Sequence, residues 1–248
     1  MRGNVQIYED VESLLDELTQ QWWLLVEQAI NERGVFHVAL AGGSTPRSLY
    51  LRLSQTNILH EQYWEKIHIY FGDERCVPQN HPDSNYQMAM VSLLSKVGIP
   101  ASNIHPMNDP GLTADQNATQ YASLLEENLP KTPNGHPVFD MILLGMGDDG
   151  HTASLFPDTD ILNETTKSVA AQFVKKLAVW RISLTFPTIN AARHVAMLIV
   201  GDAKASVLAD ISRLSQNSEN ACRYPVQFVM PHGELNWYLD KAAAQLLE

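Results

Sequence analysis

The sequence VFHVALAGGSTP, residues 35–46, predicts a buried strand that leads directly into a helix. Its first seven residues form a nearly continuous apolar run, which is typical of a strand covered on both faces. Gly34 before the run ends a preceding helix, and Pro46 after the glycines suits the first turn of the next one. A helix, a buried strand and a second helix are therefore expected to follow one another here.

The same alternation continues in both directions along the chain. Apolar runs predict further strands, and apolar residues at helical spacing predict the helices between them. The predicted strands are 5–8, 67–71, 138–144, 181–184, 195–200 and, near the end, 226–229. The predicted helices are 10–33, 46–54, 84–96, 113–129, 187–192, 203–212 and 236–247. This order predicts an α/β fold built on a mainly parallel sheet with helices on both faces.

Composition narrows the class of protein. A chain of 248 residues can bury one substantial core, so residues 1–248 are predicted to form a single α/β domain. The formal net charge of −11 argues against a nucleic-acid partner, which would require concentrated Lys and Arg. No signal-peptide pattern or membrane-spanning apolar run is present, so no membrane contact is expected. Cys76 and Cys222 are interpreted as ordinary thiols, which indicates a reducing, cytoplasmic location.

The loops that follow strands are the candidate ligand sites, because parallel sheets bind ligands beyond the carboxyl ends of their strands. After the first buried strand, Gly42 and Gly43 allow backbone amides to approach a ligand, and Ser44 and Thr45 begin the next helix. Unpaired amides at a helix N-terminus attract an oxyanion. This loop is a candidate phosphate site, although the same residues would also serve as an ordinary strand-to-helix turn.

The strand that ends at Phe71 leads into a charged segment, Gly72-Asp73-Glu74-Arg75. Arg75 could hold a phosphate through its planar guanidinium group. Asp73 and Glu74 could bind sugar hydroxyls, or they could pair with Arg75 in a solvated loop. Both interpretations are open at the level of sequence.

The loop GMGDDGHTASLFP, residues 145–157, brings carboxylates and an imidazole together at the end of a predicted strand. It contains a G-x-G-x-x-G pattern, but two carboxylates lie where a pyrophosphate would approach, and the motif is not in the first strand-helix unit. A dinucleotide site is therefore rejected. We interpret Asp149 and His151 as a working pair in which the carboxylate orients the imidazole and His151 acts as a general base.

One further cation, Lys204, lies just after the predicted strand 195–200. It could complete a phosphate pocket with Ser44, Thr45 and Arg75, or it could be a solvated surface lysine. The histidines show no metal-ligand spacing such as H-E-x-x-H. No metal and no cofactor are predicted.

These motifs together resemble the 6-phosphogluconolactonase family, within the wider group that includes glucosamine-6-phosphate isomerases and deaminases. The resemblance covers nearly the whole chain. It rests on AGGSTP (41–46), GDER (72–75) with Val77-Pro78, DSNY (83–86), GMGDDGHTASLFP (145–157), Arg181 with residues 187–193, and GDAKA (201–205). Two departures are small: Cys76 stands where the family often has an aromatic residue, and Asp158 follows Pro157 where glycine is common.

The resemblance implies a modified doubly wound, Rossmann-like fold. It also implies metal-free hydrolysis of 6-phospho-D-glucono-1,5-lactone to 6-phospho-D-gluconate, a step of the oxidative pentose phosphate pathway. His151 would be the general base and Asp149 its orienting partner. Phosphate recognition would come from Ser44, Thr45, Arg75, Lys204 and Arg181. The implied partner is a phosphorylated sugar lactone, and the chain is expected to be a monomer or a small homo-oligomer.

Two other functions remain as alternatives. Deaminases of the group carry an additional carboxylate five residues after the histidine, where this chain has Phe156, whose ring cannot transfer protons. A non-catalytic sugar-phosphate sensor would need a DNA-binding segment, and the acidic chain offers no basic helix for one. Lactone hydrolysis is therefore the favoured function.

Overall fold

Strands and helices alternate along most of the chain in the computed structural model, which describes residues 1–55, 58–216 and 223–247. The strands are β1 (Asn4–Tyr8), β2 (Phe36–Leu40), β3 (Ile67–Phe71), β4 (Asp73–Arg75), β5 (Met141–Leu144), β6 (Val169–Val174), β7 (Val179–Leu184), β8 (His194–Ile199) and β9 (Glu234–Asp240). The helices are α1 (Val11–Arg33), α2 (Ser44–Leu53), α3 (Asn85–Ala89), which continues as a π-helical turn over Met90–Leu94, α4 (Ala114–Asn128), α5 (Phe186–Ala191), α6 (Ala205–Gln216) and α7 (Lys241–Ala244).

The ends of α1 show how local sequence sets an element. The side chain of Asp10 accepts a hydrogen bond from the amide of Ser13 at 2.8 Å and so caps the first turn. Gly34 ends the helix in the left-handed conformation, with φ of 80°, and its amide donates to Ile30. The predicted helix 10–33 is confirmed to within one residue.

The central sheet has the order β1-β9-β8-β5-β2-β3, and its neighbouring strands pair in parallel. The strands β2 and β5 are buried along their whole length, which requires cover on both faces of the sheet. Apolar side chains from the strands and helices form a hydrophobic core; Trp22 of α1 packs edge-on against Phe36 of β2, with ring centroids 5.7 Å apart. The predicted doubly wound α/β fold is confirmed.

The direction of winding reverses between β2 and β5. From β2 the chain moves outward to β3 at one edge, whereas from β5 it moves through β8 and β9 toward the other edge. The loops after β2 and β5 therefore diverge and leave a crevice at the carboxyl ends of these strands. Tyr50 of α2 fixes one side of it, because its hydroxyl accepts from the amide of Ala41 at 3.0 Å and donates to the Ala41 carbonyl at 2.8 Å.

A second sheet of three antiparallel strands, in the order β4-β7-β6, lies beside the parallel sheet. The sequence did not predict β4 or β6, and the predicted strand 181–184 belongs to β7 of this sheet. With three residues, β4 is too short to show a periodicity. Its partner β7 follows about a hundred positions later, so nothing local in the sequence reveals the pairing.

Two predictions for the C-terminal part of the chain are wrong. Residues 225–228 form a 3₁₀ turn rather than a strand, and residues 234–240 form β9 where a helix over 236–247 was expected. Only 241–244 of that range form a helix, α7. Polar and apolar residues alternate only over residues 234–237 of β9, and its second half, 237–240, is continuously buried between β1 and β8. So short an alternation does not distinguish the strand from a helix. Within the described residues, no helix is both long and apolar enough to cross a membrane.

Three histidine rings lie together on β2, β3 and the segment after them. His37 and His68 are register partners with ring centroids 5.2 Å apart, and His68 Nδ1 lies 3.2 Å from His105 Nε2. Burial lowers the pKa of His37 to about 4, with a further contribution from the charges of His68 and His105. Burial also lowers the pKa of His68, and that of His105 to about 4. The folded protein therefore holds these rings neutral near pH 7.

We expect the free energy of unfolding to decrease as the pH falls from about 6.5 to about 4, because the unfolded chain protonates these histidines in that window and the folded chain does not. His37 alone should contribute about 1–2 kcal/mol of this loss between pH 7.5 and pH 5. Urea unfolding at the two pH values measures it. A His37→Asn variant should lose part of the pH dependence, whereas His232→Asn, at an exposed position, should keep it. Equal pH dependence in all three proteins would contradict the assignment.

Candidate active site

A cavity of about 430 Å³ opens at the carboxyl ends of the central strands, at the crevice between β2 and β5. It brings together residues from six separate segments of the sequence, which lie within 41–43, 72–75, 143–156 and 176–177 and at Asn85 and Arg181. The predicted site residues that line it are Gly42, Gly43, Asp73, Arg75, Asp149, His151 and Arg181. Three predicted residues lie at its edge and do not line it: Ser44 and Thr45 follow Gly43 at the start of α2, and Lys204 pairs with Asp148, which does line it.

Asp149 and His151 form a hydrogen-bonded pair. Asp149 Oδ1 lies 2.6 Å from His151 Nδ1 and also accepts from the His151 amide at 3.3 Å. The bond assigns the proton of a neutral ring to Nδ1, which leaves Nε2 with a free lone pair. Partial burial alone would raise the pKa of Asp149, but the hydrogen bonds and charge of His151, together with Lys176, lower it. The carboxylate is therefore ionised and suited to stabilise a protonated imidazole.

Short-range contacts fix the orientation of the His151 ring. The amide of Gly147 donates to the His151 carbonyl at 2.8 Å, which closes the loop on itself. The ring lies directly over Gly147, where an added Cβ would come within 2.0 Å of Nδ1. On its other side the ring stacks on Phe156, with centroids 4.1 Å apart. A glycine is therefore required at position 147 to leave room for the His151 ring.

A distant segment supports the same loop. Gly150 has φ of 73°, and its carbonyl accepts from the amide of Val226 at 3.0 Å. The ring of Tyr224 occupies the space that a side chain at Gly150 would need. The 3₁₀ turn that replaces the predicted strand 226–229 therefore serves to hold the loop that carries His151.

The start of α2 offers uncapped amides at the cavity. Gly43 precedes the helix with φ of 104°, and its position provides no side-chain cap for the first turn. The amides of Ser44 and Thr45 are among those that an α-helix leaves without intrahelical acceptors. The geometry is that of an anion site at a helix N-terminus.

Asp73 and Glu74 are not in a solvated loop, as one interpretation of the sequence held; both are buried in β4. Asp73 Oδ2 accepts from the hydroxyl of Ser154 at 2.6 Å, and Asn85 lies 3.3 Å from Oδ1. Asp73 lines the cavity and has remaining acceptor capacity for a ligand hydroxyl.

Glu74 has a structural role instead. Its carboxylate accepts hydrogen bonds from the amides of Asn85 and Tyr86 at 2.9 and 2.8 Å and from the Ser84 hydroxyl at 3.0 Å. Burial raises the pKa of Glu74, although these hydrogen bonds act in the opposite direction. Glu74 thus holds the start of α3 against β4.

Arg75 and Arg181 lie opposite each other across β4 and β7. The Nε atoms of both are buried without a hydrogen-bond partner in the described residues. Burial lowers the pKa of Arg181, and the neighbouring charge of Arg75 lowers it further. Two like charges side by side repel each other, so this wall is suited to an anion that would bind both.

Lys176, Asn85 and Ser154 are among the residues of the cavity wall to which sequence reasoning gave no role. Asn85 was quoted within DSNY, but the sequence did not show that its side chain would contact Asp73. Lys176 lies at the turn between β6 and β7, and its Nζ is 3.6 Å from Asp149 Oδ2. Neither β6 nor the position of its turn was predicted, and no local signal marks this lysine.

Among the described residues, no group of three histidine, cysteine or acidic side chains is arranged to hold a metal ion. Cys76 is a half-buried free thiol, and burial, with the charge of Glu74, raises its pKa to about 11. Cys222 lies outside the described residues. The Cys76 thiol is therefore not activated as a nucleophile.

The chain as a whole is similar in sequence to proteins of one known family. The sequence family described as "Glucosamine-6-phosphate isomerases/6-phosphogluconolactonase" matches residues 9–237. A Synechocystis sp. protein described as 6-phosphogluconolactonase is 40% identical over 222 residues, which are 90% of this chain and 89% of that one. A Nostoc sp. protein with the same description is 37% identical over 247 residues, 98% of each chain.

Solved structures agree. The 6-phosphogluconolactonase from Trypanosoma brucei superposes with a TM-score of 0.87 at 30% identity, covering 100% of this chain and 99% of that one. A monomeric glucosamine-6-phosphate deaminase superposes with a TM-score of 0.76 over 98% of this chain and 99% of that one. At 18% identity, the deaminase shows likeness of fold alone.

We expect Gly147→Ala to displace the His151 ring and break its bond to Asp149, because the new methyl group would overlap Nδ1. The proton on Nδ1, seen at low field by NMR, should be lost or shifted. Gly145→Ala is the matched control, since a Cβ there meets only the Leu198 carbonyl at an ordinary 3.9 Å. An unchanged Nδ1 signal in the Gly147→Ala protein would show that the ring does not lie as described.

Proposed function

The chain belongs to the family of glucosamine-6-phosphate isomerases and 6-phosphogluconolactonases, and we propose that it hydrolyses 6-phospho-D-glucono-1,5-lactone to 6-phospho-D-gluconate with His151 as general base. The observation that carries the assignment of His151 is its bond to Asp149 at the wall of the cavity. That bond leaves Nε2 as the ring atom able to take a proton from water.

The reaction proceeds in two proton transfers. His151 Nε2 takes a proton from a water molecule as the water oxygen attacks C1 of the lactone, which forms a tetrahedral intermediate. As the intermediate collapses, the bond between C1 and the ring oxygen breaks, and the imidazolium returns the proton to that oxygen. The new carboxylic acid then ionises. Asp149 stabilises the imidazolium between the two transfers and keeps the ring in its productive tautomer.

The 6-phosphate anchors the substrate at the cationic side of the cavity. Arg75 and Arg181 contribute guanidinium donors, the start of α2 contributes the amides of Ser44 and Thr45, and Lys204 lies at the edge. Gly42 and Gly43 let the substrate approach the backbone, and Asp73 accepts from a sugar hydroxyl. The binding energy of the phosphate, remote from C1, orients the lactone toward His151.

Phe156 favours lactone hydrolysis over deamination. Its ring stacks on His151 and lines the same cavity, at the position where a deaminase would need a further carboxylate. A phenyl ring excludes water and orients the imidazole, but it cannot exchange protons with an amine or a ring oxygen. Glucosamine 6-phosphate should therefore release no ammonia with this protein. A sensor without catalytic activity would bind the lactone without turnover, which the same assay distinguishes.

Several properties complete the proposal. Residues 1–248 act as one domain, without a metal or another cofactor, and the chain works as a monomer or a small homo-oligomer in the cytoplasm. The low cysteine content and the acidic net charge support this location and the absence of a nucleic-acid partner. Light scattering of the purified protein determines the oligomeric state.

Replacement of His151 by Asn should lower the turnover of 6-phosphogluconolactone by about 10²–10⁴-fold, because the general base is lost. Acid release from freshly generated lactone, corrected for spontaneous hydrolysis, measures it. His136→Asn is the matched control, since that histidine precedes β5 while the site follows its other end. Near-normal turnover in a folded His151→Asn protein would exclude His151 as the base.

Replacement of Arg181 by Met should reduce kcat/KM for the phosphorylated lactone by about 10–100-fold, the cost of a lost charge-assisted hydrogen bond. The rate with unphosphorylated gluconolactone should change little, because that substrate has no phosphate to anchor. Arg213→Met, on the exposed side of α6, serves as the control. An equal loss with both lactones would show that Arg181 does not bind the phosphate.

A further inference from the structure

The turn between β6 and β7, residues 175–178, reaches the catalytic cavity although it belongs to the small antiparallel sheet. Lys175–Leu177 form one 3₁₀ turn, and Ala178 reverses the chain in the left-handed conformation with φ of 51° and ψ of 39°. The amide of Ala178 donates back to the Lys175 carbonyl at 3.3 Å. This tight turn places Lys176 and Leu177 in the wall of the cavity.

The carboxylate of Asp149 is shared between two partners. Oδ1 lies 2.6 Å from Nδ1 of His151, and Oδ2 lies 3.6 Å from Nζ of Lys176. The imidazole and the ammonium therefore contact different oxygens of one carboxylate. Contacts at both oxygens restrict rotation of the carboxylate, which is the rotation that would break the bond to the imidazole.

Asp149 and Lys176 also line a neighbouring cavity together with other charged residues, namely Asp115, Asp158, Asp160, Glu164, Lys167 and Lys175. The charges toward the catalytic cavity have partners of their own or face the ligand. Asp148, next to Asp149, pairs with Lys204. Asp73 is bonded to Ser154, and Arg75 and Arg181 form the opposite cationic wall. Within the described residues, Lys176 is the cation that forms an ion pair with Asp149.

We propose that Lys176 is a positioning residue that holds the Asp149 carboxylate in line with His151 and, through its charge, keeps the imidazole from taking up a proton before substrate binds. The inference rests on the proposed function of His151 as a base. A general base must be unprotonated to act, and a positive charge at the other oxygen of the carboxylate that the ring contacts disfavours a second positive charge on the ring. Lys176 thus extends activity toward lower pH without touching the reacting atoms.

The pH profile of kcat/KM tests this role. In a Lys176→Met protein the acidic limb should move up by ~0.3–0.5 pH unit, since one unit charge at about 6 Å in water contributes roughly half a pH unit. On the plateau kcat/KM should fall, because the Asp149 carboxylate loses one of its two contacts, and Lys176→Arg should restore both the rate and the profile. The shift should shrink in 0.5 M salt, because the side chain is exposed and its charge is screened.

Lys175→Met is the matched control. It removes the same charge from the adjacent residue, which has no ion pair with Asp149 in the described structure and does not line the catalytic cavity. Its pH profile should match that of the original protein. An unchanged limb in Lys176→Met, an equal shift in both variants, or a rise in KM without any shift would each overturn the proposal; the last result would make Lys176 a substrate contact.

A second measurement separates this inference from the proposed function. NMR titration of the His151 ring in the substrate-free protein needs no activity, and its midpoint should rise in Lys176→Met by the same amount as the kinetic limb. If the midpoint rises while lactone is not hydrolysed, the charge effect stands and the proposed function fails. If the midpoint is unchanged in a protein that hydrolyses lactone, the role of Lys176 fails and the function stands.

Discussion

The parallel pairing of β2 with β5 is the constraint on which the site depends. The two strands are joined through the pairs Val38–Met141 and Ala39–Ile142, and the winding of the chain reverses between them. Because they run in the same direction, their following loops leave the sheet at one edge, and because the winding reverses, those loops diverge. The glycines before α2 and the imidazole on the loop after β5 are thereby placed around one cavity without any long insertion.

The small antiparallel sheet contributes further residues to the wall of the cavity. It places Arg75 beside Arg181 at the cavity. Its turn between β6 and β7 brings Lys176 close to Asp149. The two adjacent guanidinium groups, whose Nε atoms are buried without a hydrogen-bond partner in the described residues, repel each other. Under the proposed function, the 6-phosphate of the substrate binds both and offsets this repulsion. Glu74 keeps this wall in place through the start of α3.

The position of the His151 ring depends on the space around it as much as on the charged groups nearby. His151 can reach Asp149 because Gly147 leaves room under the ring and Phe156 covers its other face. Partial burial would raise the pKa of the Asp149 carboxyl, but its hydrogen bonds with His151 and the charge of Lys176 lower that pKa and keep the group ionised. If His151 is the base, as we propose, the same few contacts set both its orientation and its charge.

The sequence by itself determined the interactions between near neighbours in the chain. The helix α1 with its caps, the buried strand β2, the glycine turn before α2, and the pair Asp149 and His151, two residues apart, could all be recognised because their partners lie within a few positions. Tertiary structure alone decided the rest. The strand β9 alternates over only its first four residues, 234–237, while the pairing of Arg75 with Arg181 and the contact of Lys176 with Asp149 join distant segments. Such contacts depend on which strands pair, and pairing is chosen by the burial and hydrogen bonding of the whole sheet rather than by any local stretch.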